Sequence, residues 1–462
     1  MKILENYNSP HFIGIGGVHM SALAEMLYDA GYSVSGSDWE NSAVTSRLQN
    51  RGIDVIIGHS AQNIPVNCDL VVYNSAINPN NDEFAEAMRR KLPTMGRATL
   101  LGLAMKSYEI PICIAGTHGK TTTTSMLAEI FLEAGKNPTI MNGGILPKIG
   151  TTLHIGKPPF FIAEACEYHD NFLSLYPHIG IILNMDYDHS DYFADYDNMA
   201  DSFEKFANII PENGTLIINA ETKLPNITGR KCKNITFGES GEFWAKDIKF
   251  NNDIGNIITN FTLMRNQNNL GEISMKVLGQ HNIENALAAI ACAYVCGLTF
   301  EEIRNGLSGF SGAVRRFQRL GNFKGATVVD DYAHHPVEIA ATISAAQNLR
   351  QNRTMRIIPI FQPHTRKRTE EFLQDFAVSL SDGRIDFCII LDIYNPAGRE
   401  NDDCKIHSKD LVSAINKMDG RALYFSEFDK ALEFLENNIE KDDLLITMGA
   451  GDVYKLGEKL VK

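Results

Sequence analysis

The sequence predicts an α/β protein of three domains, each built on a mostly parallel sheet. Three observations carry this. A strand–turn–helix pattern restarts three times along the chain. Two of the restarts put a glycine-containing turn between an apolar strand and a helix. The length, 462 residues, fits two to four domains at roughly 100–200 residues each.

The first segment, residues 1–105, opens with a strand over His11–Ile15 that runs into the turn Gly14-Ile15-Gly16-Gly17. The following helix carries Met20, Leu23, Ala24 and Leu27 on one face, and Gly31 falls where a C-cap is expected. Val34 leads a second strand that ends near Asp38, and this order implies a parallel pair with a right-handed crossover. The second segment, residues 106–312, restarts with a buried strand over Ile110–Ala115, a turn holding Gly116 and Gly119, and a helix from Thr121 to Ala134 closed by Gly135. Further strands are expected at 160–163, 179–183 and 216–218. A small antiparallel patch is expected in the polar, Asn-rich stretch 222–275, then a helix burying Ile283, Leu287 and Ile290. The glycines and serines of 306–312 read as a linker. The third segment, residues 313–462, alternates strands at 326–329, 356–361, 387–393 and 444–448 with helices.

Hydrophobic content of 44% and charged content of 21% are ordinary for a globular protein. The formal net charge of −13 argues against non-specific nucleic-acid binding. It also requires that cations for any phosphorylated ligand be concentrated locally. Lys120, the pair Arg315–Arg316, and the run Arg366, Lys367, Arg368 are the places that supply them. The first ten residues hold one Lys and no apolar core, unlike a signal peptide, and no apolar run is long enough to span a bilayer. The eight cysteines are scattered without a Cys-x-x-Cys pair, and Cys292 and Cys296 sit one turn apart on an expected helix. They read as buried, reduced thiols of a cytoplasmic protein with no membrane partner.

Five motifs carry chemistry. The run Ala115-Gly116-Thr117-His118-Gly119-Lys120-Thr121-Thr122 lies between a strand and a helix, the context of a phosphate loop. Its glycines let backbone N–H groups face an anion, and the helix N-terminus adds partial positive charge. Lys120 would reach β- and γ-phosphates, and the Thr121 hydroxyl would bind Mg²⁺. Ile114 stands where the standard loop has its first glycine, so the loop is a shortened variant. The turn Gly14, Gly16, Gly17, with Asp38 at the ribose-acid position, is a weak dinucleotide fingerprint, since His19 occupies its third glycine position. A tight turn without a ligand is the alternative. If it binds anything, a nucleotide diphosphate is favoured over NAD. Glu164, Asp186 and Asp188 follow strands beside the phosphate loop and are possible Mg²⁺ ligands, whereas His189 reads on its own as a loop or core histidine. The turn Asp330-Asp331-Tyr332-Ala333-His334-His335-Pro336 sits at a strand's carboxyl end, where open α/β sheets bind ligands, with Pro336 opening the next helix. The run Phe361-Gln362-Pro363-His364-Thr365-Arg366-Lys367-Arg368 offers guanidinium forks for carboxylate or phosphate, with Lys367 read as solvated.

Together these motifs resemble the Mur ligases, over the whole chain and in order. The likeness extends to Gly-Ser-Asp at 36–38, Asn-Ser-Ala at 74–76, Glu164-Ala-Cys-Glu167, Gly279-Gln-His-Asn-Ile-Glu-Asn at 279–285, Arg315-Arg316-Phe317 and Gly449-Ala-Gly-Asp452. The resemblance is to the members that add the first amino acid, L-alanine, to UDP-N-acetylmuramate in peptidoglycan synthesis. It implies a Rossmann-like N-terminal domain, a P-loop ATPase-like central domain and a Rossmann-like C-terminal domain. It also implies ATP and Mg²⁺ as cofactors and an acyl-phosphate intermediate on the lactyl carboxylate. Residue by residue, it implies UDP-sugar binding by Gly14, Gly16, Gly17, Asp38 and Ser75. It implies ATP binding by Gly116, Thr117, Gly119, Lys120, Thr121 and Thr122, with His281 and Asn285 beside the adenine and Arg316 near the phosphates. Thr121, Glu164 and His189 match the Mg²⁺ ligands, and Tyr332, His334 and Arg368 the neighbourhood of the incoming alanine. Lys120, His334 and Arg368 are the residues the reaction would depend on most. Two positions depart from the family: His19 replaces a small residue, and Thr365 stands where some members carry arginine. Two other activities remain open, a recycling ligase that adds a peptide to the same sugar and an NAD-dependent oxidoreductase.

Overall fold

Short apolar strands alternate with helices through the first hundred residues, the pattern of a parallel sheet covered on both faces. They are β1 (Pro10–Ile13), α1 (Val18–Asp29), β2 (Ser35–Asp38), α2 (Ala43–Asn50), β3 (Asp54–Ile57), β4 (Leu70–Tyr73), α3 (Asp82–Arg89), β5 (Thr94–Gly96) and α4 (Arg97–Met105). The computed structural model describes residues 3–74, 77, 78, 80–190, 192–224, 231–251, 257–350, 355–395 and 404–462. The strand order is β3-β2-β1-β4-β5, all parallel. Because the order reverses between β1 and β4, the glycine turn after β1 lies at the topological switch point, where a crevice opens beyond the strand ends.

A buried polar cluster ties this sheet to α3. Glu83 is fully buried. It accepts from Ser37 Oγ at 2.6 Å and Asn63 Nδ2 at 2.7 Å, and lies 3.2 Å from His11 Nε2 and from His59 Nδ1. Burial pushes the Glu83 carboxyl up, but the hydrogen bonds from His11, His59, Ser37 and Asn63 outweigh it and hold the group well below the usual carboxylate range.

The second sheet is built from β6 (Ile110–Ala115), α5 (Lys120–Glu133), β7 (Thr139–Leu146), β8 (Thr151–His154), β9 (Phe160–Glu164), β10 (Ile179–Ile182), α6 (Tyr196–Asn208), β11 (Thr215–Asn219) and β12 (Lys233–Phe237). The strands run in the order β12-β11-β10-β6-β9-β7-β8, parallel except for β8. Then come β13 (Phe243–Asn251), β14 (Ile258–Arg265), β15 (Asn268–Met275), α7 (Gln280–Val295) and α8 (Phe300–Gly309). Two expectations need correction. Residues 233–237 pair in parallel with β11 and extend the main sheet, so that part of the polar stretch is no antiparallel patch. Gly306–Gly309 complete a helix rather than a linker. A Cβ on Gly306 would lie 2.5 Å from Ile130 Cα, so this glycine serves close packing of α8 on α5 and not chain flexibility.

The third sheet comprises β16 (Gln318–Phe323), β17 (Ala326–Asp331), α9 (Pro336–Leu349), β18 (Ile357–Phe361), α10 (Arg366–Glu371), α11 (Leu373–Leu380), β19 (Cys388–Leu391), α12 (Ser408–Lys417), β20 (Ala422–Phe425), α13 (Phe428–Asn438), β21 (Leu444–Met448) and α14 (Tyr454–Leu460). Its order is β16-β17-β21-β18-β19-β20, parallel except for β16. Pro336 opens α9 as expected, and His335 caps it, receiving the Val337 amide while Glu338 accepts the His335 amide.

The chain divides into two compact units. One holds residues 1–246, 262–273 and 284–309; the other holds 247–261, 274–283 and 310–462. No helix among the described residues is long and apolar enough to cross a membrane. All eight cysteines are free, five of them buried, and Cys292 and Cys296 are hydrogen-bonded to each other.

Candidate functional site

In the second sheet β6 lies between β9 and β10, with Ile114 opposite Glu164 and Ala115 opposite Ile182. Three connections therefore leave one sheet edge side by side: the phosphate loop after β6, Glu164 at the end of β9, and the loop 183–189 after β10. The phosphate loop is stapled to the last of these. The His118 amide donates to Asn184 Oδ1 at 2.8 Å, and the Thr117 hydroxyl bridges the Asp186 carbonyl (2.9 Å) and amide (3.0 Å). Gly116 (φ +145°) and Gly119 (φ +84°) take backbone conformations that side chains rarely adopt. A Cβ on Gly119 would meet Asn285 Oδ1 at 2.3 Å, which brings α7 onto the loop. Thr121 is half-buried at the start of α5 and Thr122 is buried behind it.

Lys120 Nζ bonds the Gly116 and Thr117 carbonyls within its own loop. Its ion-pair partner is Glu167, whose two oxygens lie 3.1 and 2.9 Å away. Burial works against both charges, yet the pairing wins. The lysine is raised above its usual value by Glu167, and Glu167 is lowered by Lys120 and by a bond from His189. His189 stands 3.5 Å from Glu167 and stacks on Tyr168, in a left-handed backbone (φ +57°) unusual for a non-glycine residue. Glu164 accepts the Gly143 amide, an approach that a Cβ at Gly143 would block. Among the described residues no group of three or more His, Cys, Asp or Glu side chains is gathered tightly enough to enclose a metal ion.

At the N-terminal switch point the glycine turn is held internally. The Gly14 and Ile15 amides donate to Ser37 O, and the Gly16 amide donates to Asp38 Oδ2 at 2.7 Å. One Asp38 oxygen is thus engaged by the turn itself. Ser75 lies outside the described residues. His19 stands in the first turn of α1, 3.2 Å from an Arg97 nitrogen.

The second unit has its own cluster. Here β17, β21 and β18 are neighbours, so their carboxyl ends meet. Gln362, past β18, donates to Asp452 and accepts from the Val453 amide, which locks the Phe-Gln-Pro-His run to the Gly-Ala-Gly-Asp run. Arg315 pairs with buried Asp330 at 2.9 Å and donates to the Gly449 and Gly451 carbonyls. It is a structural clamp, although the sequence offered it as a cation for ligands. Arg316 is more open, 3.8 Å from Glu338 and over the Tyr332 ring. His281 is exposed at the start of α7, beside Gly279. Burial raises the Asp331 carboxyl to about 6 against the pull of Arg316 and of the Ala333 and Phe317 amides. His334 Nδ1 faces two acceptors, the Tyr332 carbonyl at 2.9 Å and Glu338 at 3.2 Å. They place a proton on Nδ1. Arg368 is half-buried on α10, whose preceding residue, buried Thr365, holds φ +63°, a strained value for a β-branched residue.

Sequence reasoning missed several of these positions. Glu167, Asn184 and Glu338 were not singled out as site residues, because each acts through a neighbour rather than through a motif. Glu167 lay within the quoted run Glu164-Ala-Cys-Glu167 without being given a role, and Glu338 left a trace in lying three residues after the helix cap at His335.

A strand–glycine turn–helix with a lysine and threonine at the helix start, on a mostly parallel sheet between two further α/β sheets in the chain, is the pattern of a nucleotide-dependent ligase. The chain belongs to the Mur ligase family. Its three models match in succession: the "Mur ligase family, catalytic domain" over residues 9–109, the "Mur ligase middle domain" over 114–293 and the "Mur ligase, glutamate ligase domain" over 315–451. Among curated relatives, UDP-N-acetylmuramate–L-alanine ligase of Acetivibrio thermocellus is 44% identical over 98% of this chain and 95% of the relative. That of Caldanaerobacter subterraneus is 43% identical over 99% and 98%. The solved UDP-N-acetylmuramate–alanine ligase of Thermotoga maritima superposes with a TM-score of 0.82 at 27% identity, covering 98% of both chains. A murein peptide ligase from Psychrobacter arcticus, at 23% identity and a TM-score of 0.74 over 98% of both chains, shares the fold.

Proposed function

We propose that the chain uses ATP to activate the lactyl carboxylate of UDP-N-acetylmuramate and joins it to L-alanine, a step of peptidoglycan precursor synthesis in the cytoplasm. The observation that carries this is the convergence of Lys120, Glu164, Glu167 and His189 at one sheet edge, in a chain whose near-full-length relatives bear the alanine-ligase name. The relatives' identities disfavour a peptide-adding recycling ligase. Gly-Lys-Thr would have no task in an NAD-dependent oxidoreductase.

The reaction divides between the segments. Residues 1–105 would hold the UDP-sugar, 106–312 ATP, and 313–462 the amino acid. The carboxylate takes the γ-phosphoryl group and ADP departs. The alanine amine then attacks the acyl carbon, and inorganic phosphate leaves. Such transfers are accelerated mainly by positioning and charge neutralisation, which Lys120 and Arg316 would supply, with Gly116, Thr117, Gly119 and Thr122 shaping the loop and His281 and Asn285 flanking the base. His334, held at Nδ1 by Glu338 and the Tyr332 carbonyl, or a water would receive the amine proton. The direct test is phosphate release with UDP-N-acetylmuramate while each amino acid is omitted in turn. Release that does not depend on alanine refutes the reading.

The residues present fit Mg²⁺. Glu164, His189 and the Thr121 hydroxyl are a partial donor set, which suits an ion that completes its octahedron with phosphate oxygens and water. Bound there, Mg²⁺ would neutralise phosphate charge during transfer. Glu164→Ala and His189→Ala are each expected to raise the Mg²⁺ concentration needed for half-maximal rate. An unchanged Mg²⁺ dependence in both variants removes them from the metal.

At the amino-acid end, Arg368 would be the local fork for the alanine carboxylate, and Tyr332 is the other side chain that the family likeness assigns to the incoming alanine. Losing a charge-assisted bond costs about 1.5–3 kcal/mol, so Arg368→Ala should raise the KM for alanine roughly ten- to a hundredfold. The KM values for ATP and the UDP-sugar should change far less. If all three rise together, Arg368 is not the clamp.

A further inference from the structure

Arg97, the first residue of α4, is half-buried, and among the described residues its only side-chain hydrogen bond is to His19 Nδ1 at 3.2 Å. Among the described residues it makes no ion pair, although the chain holds 56 Asp and Glu residues. Burial of the His19 ring, reinforced by the Arg97 charge, lowers its pKa to about 3, so His19 is neutral. With an arginine N–H aimed at Nδ1, the ring proton sits on Nε2. The pair therefore presents one fixed positive charge and a second N–H donor. Its position is as telling as its charge. His19 is in the first turn of the helix that follows the glycine turn. The Arg97 charge also acts on Cys166, the residue before Glu167, which holds Lys120. Arg97 thus stands beside the helix that follows the glycine turn, in the same compact unit as the phosphate loop. A half-buried arginine that no carboxylate of the described residues pairs with is a receptor for an anion brought from outside.

We propose that Arg97, oriented by His19, is a substrate-positioning residue whose guanidinium fork binds an anionic group of the UDP-sugar, either its diphosphate or its lactyl carboxylate. The inference rests on the function proposed above. It also gives the departure at His19 a role: a small residue there would leave the guanidinium without its acceptor.

Calorimetric titration of the full chain with UDP-N-acetylmuramate, UDP-N-acetylglucosamine (which lacks the carboxylate) and ATP tests this. Arg97→Ala is expected to weaken UDP-N-acetylmuramate roughly ten- to a hundredfold, the size of a charge-assisted bond to an anion, with ATP affinity intact. If UDP-N-acetylglucosamine weakens equally, the partner is the diphosphate; if it does not, the partner is the carboxylate. Arg97→Lys, which keeps the charge but loses the fork, should recover only part of the affinity and carries the test if the alanine variant does not fold. His19→Ala should weaken the same ligand and raise the KM for UDP-N-acetylmuramate with little change in kcat. An unchanged Kd for UDP-N-acetylmuramate in whichever Arg97 variants fold overturns the proposal. Failure of wild-type protein to bind this sugar nucleotide at all would instead overturn the functional reading beneath it.

Discussion

Lys120→Ala is expected to lower turnover by roughly 10²–10³-fold, the usual loss when one donor to a developing charge is removed. A second effect accompanies it. Glu167 is 2% exposed and Lys120 is its ion-pair partner, so the substitution also strands a buried carboxylate. Removing one partner of a buried pair costs about 3–5 kcal/mol. The two effects separate in the double variant Lys120→Ala/Glu167→Gln, which should regain stability but not turnover. Phosphate release and thermal melting, measured together, decide the matter. A folded Lys120→Ala protein with near-normal release would show that the loop does not serve phosphoryl transfer.

Glu83→Ala should destabilise the N-terminal sheet by about 3–5 kcal/mol, again the cost of leaving buried partners without their counter-charge. The pH dependence has two arms. The depressed Glu83 carboxyl contributes stability that is present above its unfolded value, near 4.5, and lost as pH falls through the folded one. His59 has the opposite sign. Its bond to Glu83 raises it above 6.5 against the effect of burial, so its contribution is present below that value and fades as pH rises through the folded pKa. Glu83→Gln should flatten both arms. Trp39, whose ring lies 6.0 Å from that of His59, offers a local fluorescence signal for the unfolding curves. Identical pH profiles for wild type and Glu83→Gln would refute the account.

The strand–helix alternation and the glycines of the phosphate loop were legible because local pattern alone dictates them. Ile110–Ala115 was read to the residue, since an uninterrupted apolar run bounded by a glycine turn admits few alternatives. Gly306 misled because composition cannot distinguish a glycine needed for flexibility from one needed where another helix presses close. The stretch 233–237 misled because its parallel partner β11 lies well before it in sequence, and periodicity carries no information about pairing at a distance. The same limit explains the site. Lys120 advertises itself through neighbours in sequence. Glu167, Arg97 and the His19 acceptor matter only through contacts that the fold creates, and Arg315 looked like a ligand cation until Asp330 and the Gly449 carbonyl appeared beside it.

The lysine–glutamate contact in the phosphate loop has a consequence for tuning and for inhibitor chemistry. A nucleotide that recruits Lys120 must first draw it away from Glu167, so measured affinity would be the difference between two contests for one ammonium group. A residue that touches no phosphate therefore acts as a competitor built into the protein, and weakening it would tighten nucleotide binding with the binding surface untouched. Compounds that mimic phosphate would meet the same competitor, whereas compounds that offer Glu167 a cation of their own would displace the lysine without imitating ATP.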